Sequence, residues 1–175
     1  MVLILMGVSG TGKTTLGKLL AQQTGWPFLD GDDFHPQANK DKMAAGHALT
    51  DEDRAPWLAT LHGKIVEYAS AAKPMILACS ALREDYRATL RGDLPADVVQ
   101  FALLEADPRV IAAHLQARHH QFMNPGLLNS QLATLEHPHD TAWNISVAGT
   151  PEQSLEQLTD HLKGAGVLGS GRATS

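Results

Sequence analysis

A run of eight residues, Gly7-Val8-Ser9-Gly10-Thr11-Gly12-Lys13-Thr14, follows the apolar stretch Val2-Leu3-Ile4-Leu5-Met6. Glycines at this spacing let backbone N–H groups turn inward around an anion. A helix that begins where the run ends aims its positive dipole at the same point. The sequence therefore predicts a phosphate-binding loop, with Gly7, Ser9, Gly10, Thr11, Gly12, Lys13, Thr14 and Thr15 as its nucleotide-contacting residues. In such a loop the lysine reaches the β- and γ-phosphates and the threonine hydroxyl ligates Mg²⁺, roles that fall here to Lys13 and Thr14. A glycine-rich turn matching by chance would not also carry the preceding strand and the helix-compatible Leu16, Leu19 and Leu20.

Further on, Asp30-Gly31-Asp32-Asp33-Phe34-His35 gathers three carboxylates and a histidine in six residues. Phosphoryl transfer to a hydroxyl needs a carboxylate to orient it and accept its proton, and further carboxylates to hold Mg²⁺ or its waters. Asp-Gly-Asp is also ordinary turn chemistry, but beside a phosphate-binding loop the chemical use is the stronger reading. The apolar run ending Leu77-Ala78-Cys79-Ser80 carries no terminal acid, which moves the metal role toward Asp30 or Asp32.

Arg83, Arg87 and Arg91 recur at i, i+4 and share one face of a predicted helix. Arg91 suits a solvated face. Arg83 and Arg87 lie nearer the carboxyl end of a strand, where a forked guanidinium can grip a carboxylate or phosphate, and Lys42 and Arg54 flank the same place from the other side. Arg118 ends a predicted helix ahead of residues 119–140, a polar, turn-rich excursion where a closing lid is expected. Spacing leaves two uses of Arg118 open, a favourable charge at a helix C-terminus and a cation that stabilises a transferring phosphoryl group. The nine histidines do not make a metal site: His119-His120 and His137-Pro138-His139 have neither i, i+4 spacing nor cysteine partners. Trp26, Trp57 and Trp143 are not interleaved with basic residues and read as core or site walls, not as a base-stacking platform.

The elements that must position these groups follow from periodicity. Short apolar runs at 2–6, 26–29, 74–79, 98–104 and 143–147 read as strands, and amphipathic stretches at 14–24, 51–72, 82–91, 108–118 and 151–163 read as helices. This alternation implies an α/β fold with a mainly parallel, five-stranded sheet. Thr50 is the expected N-cap of the long helix, with Asp51, Glu52 and Asp53 in its first turn. Residues 30–50 fit neither pattern and lie at the carboxyl end of the second strand, where open α/β sheets bind ligands. The chain's 175 residues, 43% hydrophobic, suit one domain over 1–163 followed by a flexible tail, 164–175, with too little apolar content to pack. A net charge of −5 argues against a nucleic-acid or anionic-membrane partner. The lone Cys79 excludes an intramolecular disulfide and fits a reducing compartment. No apolar run is long enough for a membrane span and the first residues lack a basic leader, so a cytoplasmic protein is expected.

A specific resemblance emerges from these blocks. The glycine loop, Asp30-Gly31-Asp32-Asp33-Phe34-His35-Pro36, Asp41-Lys42-Met43, Leu49-Thr50-Asp51-Glu52-Asp53-Arg54-Ala55-Pro56-Trp57-Leu58 and Cys79-Ser80-Ala81-Leu82 with Tyr86-Arg87 together resemble the gluconokinase family. Leu127-Leu128, Ser130-Gln131 and Leu135-Glu136 extend the likeness, which runs from residue 2 to about 162. The resemblance implies a three-layer P-loop kinase fold similar to shikimate and nucleoside monophosphate kinases, with a mobile lid. It also implies ATP-dependent phosphorylation of D-gluconate to 6-phosphogluconate, Mg²⁺ dependence and a homodimer. By analogy with related small-molecule kinases, Asp32 becomes the proton acceptor, with Asp30 and Asp33 as competitors, and Asp30 the water-mediated Mg²⁺ ligand. The segment 30–58 becomes the substrate site, with Arg54, Arg83 and Arg87 unranked for the carboxylate and His35 and Lys42 available for hydroxyls. Where the family reads Gly-His-Phe, this chain reads His120-Gln121-Phe122, which removes the family's hinge glycine and its histidine. Two other readings stand beside this one: a kinase of the same fold acting on shikimate or a nucleotide monophosphate, and an ATP-binding regulatory module without turnover.

Overall fold

The computed structural model describes residues 1–117, 125–139 and 142–169. Five strands, β1 (Val2–Met6), β2 (Phe28–Asp30), β3 (Met75–Ala78), β4 (Val99–Glu105) and β5 (Trp143–Ser146), form one all-parallel sheet in the order β2-β3-β1-β4-β5. Parallel neighbours need helical crossovers. The helices among the described residues are α1 (Lys13–Thr24), α2 (Gln37–Ala44), α3 (Asp51–Ser70), α4 (Glu84–Arg91), α5 (Pro108–Ala117), α6 (Pro125–Thr134) and, after the last strand, α7 (Pro151–Gly164).

Central β1 is covered on both faces, which is why it reads as an unbroken apolar run. Its alternate residues serve two cores. Val2, Ile4 and Met6 pack with Met75, Leu77, Phe101 and the Trp57, Leu58, Leu61 and Ile65 stripe of α3. Leu3 and Leu5 pack on the other face with Leu16 and Leu20 of α1 and Leu158 and Leu162 of α7. The result is three layers, as expected from the sequence. Thr50 caps α3 as its type and position predict: its hydroxyl accepts the Asp53 N–H at 3.2 Å while the Asp53 carboxylate accepts the Thr50 N–H at 2.8 Å.

Three departures from the sequence expectation matter. Residues 30–50, which fit neither pattern, hold a 3₁₀ turn, Gly31–Phe34, and α2, which buries only Asn39 and so lacks the apolar stripe that announces a helix. Inside 119–140 stands α6, whose Leu128 is buried against Val8, Leu82 and Ile111. In the terminal segment expected to be too poor in apolar residues to pack, Val167 and Leu168 lie against the α1/α7 core. Gly166, at φ +71°, turns the chain back, and the Val167 N–H donates to the Leu162 carbonyl at 2.9 Å. Among the described residues no helix is long and apolar enough to cross a membrane.

Gly7 ends β1 at φ +141°, and a Cβ there would sit 2.6 Å from the Leu104 carbonyl oxygen of β4. Both the backbone angle and the space exclude a side chain. Gly7→Ala is expected to lower stability by about 2 kcal/mol or more, read as a lower urea midpoint with an unchanged m-value.

Candidate active site

β1 delivers the chain into the glycine loop, and α1 starts at Lys13 with Gly12 as a left-handed N-cap, φ 84°. The Thr11 hydroxyl donates to the Val8 carbonyl at 2.9 Å, and the Gly7 N–H donates to Ser80 at the end of β3, closing the loop and tying it to the sheet. The Lys13 ammonium folds back over the loop, donating to the Gly7 and Val8 carbonyls at 2.8 and 3.0 Å. One inward amide is already engaged by a distant residue: the Ser9 N–H donates to Gln131 Oε1 of α6 at 2.7 Å. A neutral amide oxygen thus sits against a donor of the phosphate-binding loop. Leu128 anchors the same helix beneath it, and Glu136, just beyond, accepts the first N–H of α4 at 2.6 Å.

Asp30 closes β2 and uses both carboxylate oxygens. Oδ2 accepts the Thr14 hydroxyl at 2.8 Å, and Oδ1 accepts the Asp32 N–H at 3.0 Å, capping the 3₁₀ turn. Asp32 stands in that turn. Its side chain reaches solvent, yet the surrounding protein removes enough water to raise its pKa above the usual carboxylate value. The neighbouring Asp30 charge pushes the same way, and Lys13 and His35 offset part of the effect. His35 stacks on Trp57 with ring centroids 4.2 Å apart, and the Trp57 indole N–H donates to the Gly31 carbonyl at 2.8 Å, locking α3 to the turn. Burial lowers the His35 pKa, with Arg54 and Lys40 adding to that and Asp32 opposing it, so the ring is neutral near pH 7.

The four basic candidates separate by their partners. Arg87 is 3% exposed, donates to the Ala81 carbonyl at 2.9 Å and pairs with Glu84 at 2.6 Å, bracing a turn in which Ala81 holds φ +47°. Lys42 pairs with Asp53 at 2.6 Å, which together with the Thr50 N–H holds the Asp53 carboxyl at about 2. Arg83 spends one edge of its guanidinium on Asp85, at 3.1 and 2.8 Å, and Nη1 on Asp51 at 3.3 Å. Arg54 is the least committed: Nη1 donates to the Tyr86 hydroxyl at 3.3 Å and lies 3.8 Å from Asp51. The structure therefore brings together Lys13, Thr14, Asp30, Asp32, His35 and Arg54, with Arg83 joined to them through Tyr86 and Asp51. Arg118, His119, His120 and Asn124 lie outside the described residues. Cys79 is buried at the strand end and its thiol is pushed up to about 12, as suits a packing residue.

Tyr86, Asp51, Asn39 and Gln131 were not singled out from the sequence for roles in the site. Asn39 donates to the Asp53 carbonyl at 2.8 Å and lies 3.3 Å from His35 Nδ1. The one available signal for Asn39 was a polar residue near a dense run of charge; Gln131 stood in a block of the family resemblance, but its contact spans 122 positions and no local spacing pointed to Ser9.

A glycine loop at the end of the central strand, the 2-3-1-4-5 strand order and carboxylates at the adjoining strand end define a P-loop kinase of small molecules. A family model described as an AAA domain matches residues 2–138. The chain is 47% identical to a gluconokinase of Gluconobacter oxydans, covering 92% of this chain and 90% of that protein. It is 42% identical to a gluconokinase of Arabidopsis thaliana, covering 91% and 90%. A crystal structure of a gluconokinase from Sinorhizobium meliloti superposes with a TM-score of 0.80 at 36% identity, covering 93% of this chain and 94% of that one. The chain belongs to the gluconokinase family.

The raised pKa of Asp32 has a stability consequence of defined sign. Between the unfolded value, 3.8, and the higher folded value, the native state binds more protons, so stability falls as pH rises through that window. Asp32→Asn removes this penalty. Its melting temperature is expected to exceed that of the wild type at pH 7, the gain shrinking to nothing as the pH is lowered toward 3.8.

Proposed function

We propose that the protein transfers the γ-phosphoryl group of ATP to the 6-hydroxyl of D-gluconate, giving 6-phospho-D-gluconate and ADP. The observation that carries this reading is the Asp30 carboxylate, which fixes the Asp32 backbone and the Thr14 hydroxyl of the phosphate-binding helix in one contact. It brings a proton acceptor and a phosphate receiver to the same edge of the sheet.

The loop amides and the N-terminus of α1 receive the phosphates, and Lys13 leaves the Gly7 and Val8 carbonyls to follow the γ-phosphoryl charge. Thr14 and Asp30 offer hard oxygen donors of the kind that suit Mg²⁺, which keeps several waters and takes few protein ligands. When bound, the ion supplies charge neutralisation on the β- and γ-phosphates. Asp32 accepts the proton of the 6-hydroxyl as the O6–P bond forms and the bond from phosphorus to the β-phosphate oxygen breaks, releasing ADP. A carboxylate with a raised pKa is a better acceptor for that proton. Arg54, with Arg83 behind it, holds the gluconate carboxylate at the far end, and neutral His35 can both donate to and accept from sugar hydroxyls. Lys42 and Arg87 support this arrangement through Asp53 and the Ala81 turn. Arg118 serves as the cation for charge on the transferring group. The ATP requirement and the lone buried thiol fit a cytoplasmic enzyme, and the family likeness a homodimer. The readings as a shikimate or nucleotide monophosphate kinase, or as a module without turnover, lose ground to 47% identity with a gluconokinase and to a positioned proton acceptor.

Gluconate is expected to drive ADP release in a coupled assay, with none from shikimate or AMP. Lys13→Met should lower turnover on the order of 10²-fold or more while the protein stays folded, because the loop backbone still makes its turn. Near-normal turnover in that variant would remove the loop from the mechanism. Arg118→Ala should lower kcat far more than gluconate affinity, a split measured by steady-state kinetics beside calorimetry.

A further inference from the structure

Tyr86 lies against two of the candidate arginines, Arg54 and Arg83. The Arg83 guanidinium carbon lies 5.2 Å from the ring centroid and that of Arg54 5.7 Å, so both cations bear on one aromatic ring. The hydroxyl adds direction. Its single proton goes to Asp51 Oδ1 at 2.6 Å, which leaves its lone pairs for Arg54, whose Nη1 donates to it at 3.3 Å. Asp51 belongs to the first turn of α3 and Arg54 to the next turn of the same helix, while Tyr86 comes from α4. The other oxygen of Asp51 accepts from Arg83 Nη1 at 3.3 Å. An Arg54 side chain on a flexible stem is thereby tied at one nitrogen, Nη1. Asp51 is itself about half exposed, so what it contributes is orientation of the hydroxyl more than a strong ion pair.

On this basis, and resting on the assignment of Arg54 to the substrate carboxylate, we infer that Tyr86 is a positioning residue for substrate specificity. Its hydroxyl, oriented by Asp51, aims Arg54 at a carboxylate and so sets the preference for an acidic sugar derivative over a neutral one of the same length. Losing the hydroxyl leaves the charge of Arg54 in place but frees its geometry, which costs the directional part of a charge-assisted hydrogen bond.

Wild type, Tyr86→Phe, Asp51→Ala, the double variant and Arg54→Ala are compared on D-gluconate and its neutral amide at saturating MgATP, with gluconate binding also measured by calorimetry. Tyr86→Phe keeps the ring beneath both cations. It should raise the gluconate KM and Kd about tenfold, leave kcat within about twofold, and leave the KM for the amide unchanged. Asp51→Ala should match it, and the double variant should be no worse than either, because the two residues act through one chain of bonds. Equal effects of Tyr86→Phe on acid and amide, or none on either, would overturn the inference. If Arg54→Ala weakens gluconate and Tyr86→Phe does not, only the positioning role falls. If Arg54→Ala leaves gluconate binding unchanged, the carboxylate assignment falls and the inference with it.

Discussion

The Asp30 carboxylate is the contact on which the rest of the site depends, and the sheet register makes it possible. Leu5 of β1 and Asp30 of β2 both pair with Ala78 of β3, so the two outer strands of this trio end at the same height. The glycine loop follows Met6, and the first turn of α1 sets the Thr14 hydroxyl 2.8 Å from Asp30. Gly31 then passes so close to β3 that a Cβ would stand 2.8 Å from the Ala78 carbonyl. A buried parallel sheet supplies this precision because neither strand can slip without turning its core residues toward the wrong layer.

That rigid edge lets the electrostatics of the cleft be tuned locally. Asp32 is held in a desolvated position beside a second carboxylate, which favours its protonated form, while Lys13 and His35 draw it back toward ionisation. His35 is kept neutral mainly by burial against Trp57. The 3₁₀ turn that carries Asp32 is pinned by Asp30 at its start and by the Trp57 indole at Gly31.

Much of this was legible in the sequence, for identifiable reasons. β1 could be read to its exact residues because a strand buried on both faces leaves a continuous apolar run bounded by the glycine loop. Thr50 could be placed as a cap and Lys13 at the start of α1 because caps and glycine loops are local chemistry with fixed spacing. α2 and α6 escaped for the opposite reason. α2 is held by Asn39 reaching the Asp53 carbonyl and by Lys42 reaching the Asp53 carboxylate, contacts to another helix that leave no periodic apolar signal. The arginines escaped ranking because their difference lies in their acids. Helical spacing made Arg83 and Arg87 look equivalent, but Glu84 and the Ala81 carbonyl absorb Arg87, and Asp85 takes one edge of Arg83.

The contact between Gln131 and the Ser9 N–H joins the two halves of the site. α6 is seated by Leu128 among Val8, Leu82 and Ile111, and Val8 is itself a loop residue, so the apolar seat and the amide contact lie on adjacent positions of one loop. Any shift of the loop backbone on taking up phosphates must act on both. A carboxamide at this position offers an acceptor to the amide without bringing a negative charge to a place that must receive one, as a glutamate would. It can also turn its NH₂ donors toward an incoming phosphate oxygen. Glu136, whose backbone N–H donates to the Leu82 carbonyl and whose carboxylate accepts from the start of α4, fixes the other end of the same segment next to Arg83 and Tyr86. The segment from α6 to Glu136 is thus held at one end by the phosphate loop and at the other by the first residue of α4, the helix that carries Tyr86. The glycine loop and the start of α4 are thereby bridged by one stretch of chain, through contacts that are far apart in sequence and could not be read from local spacing.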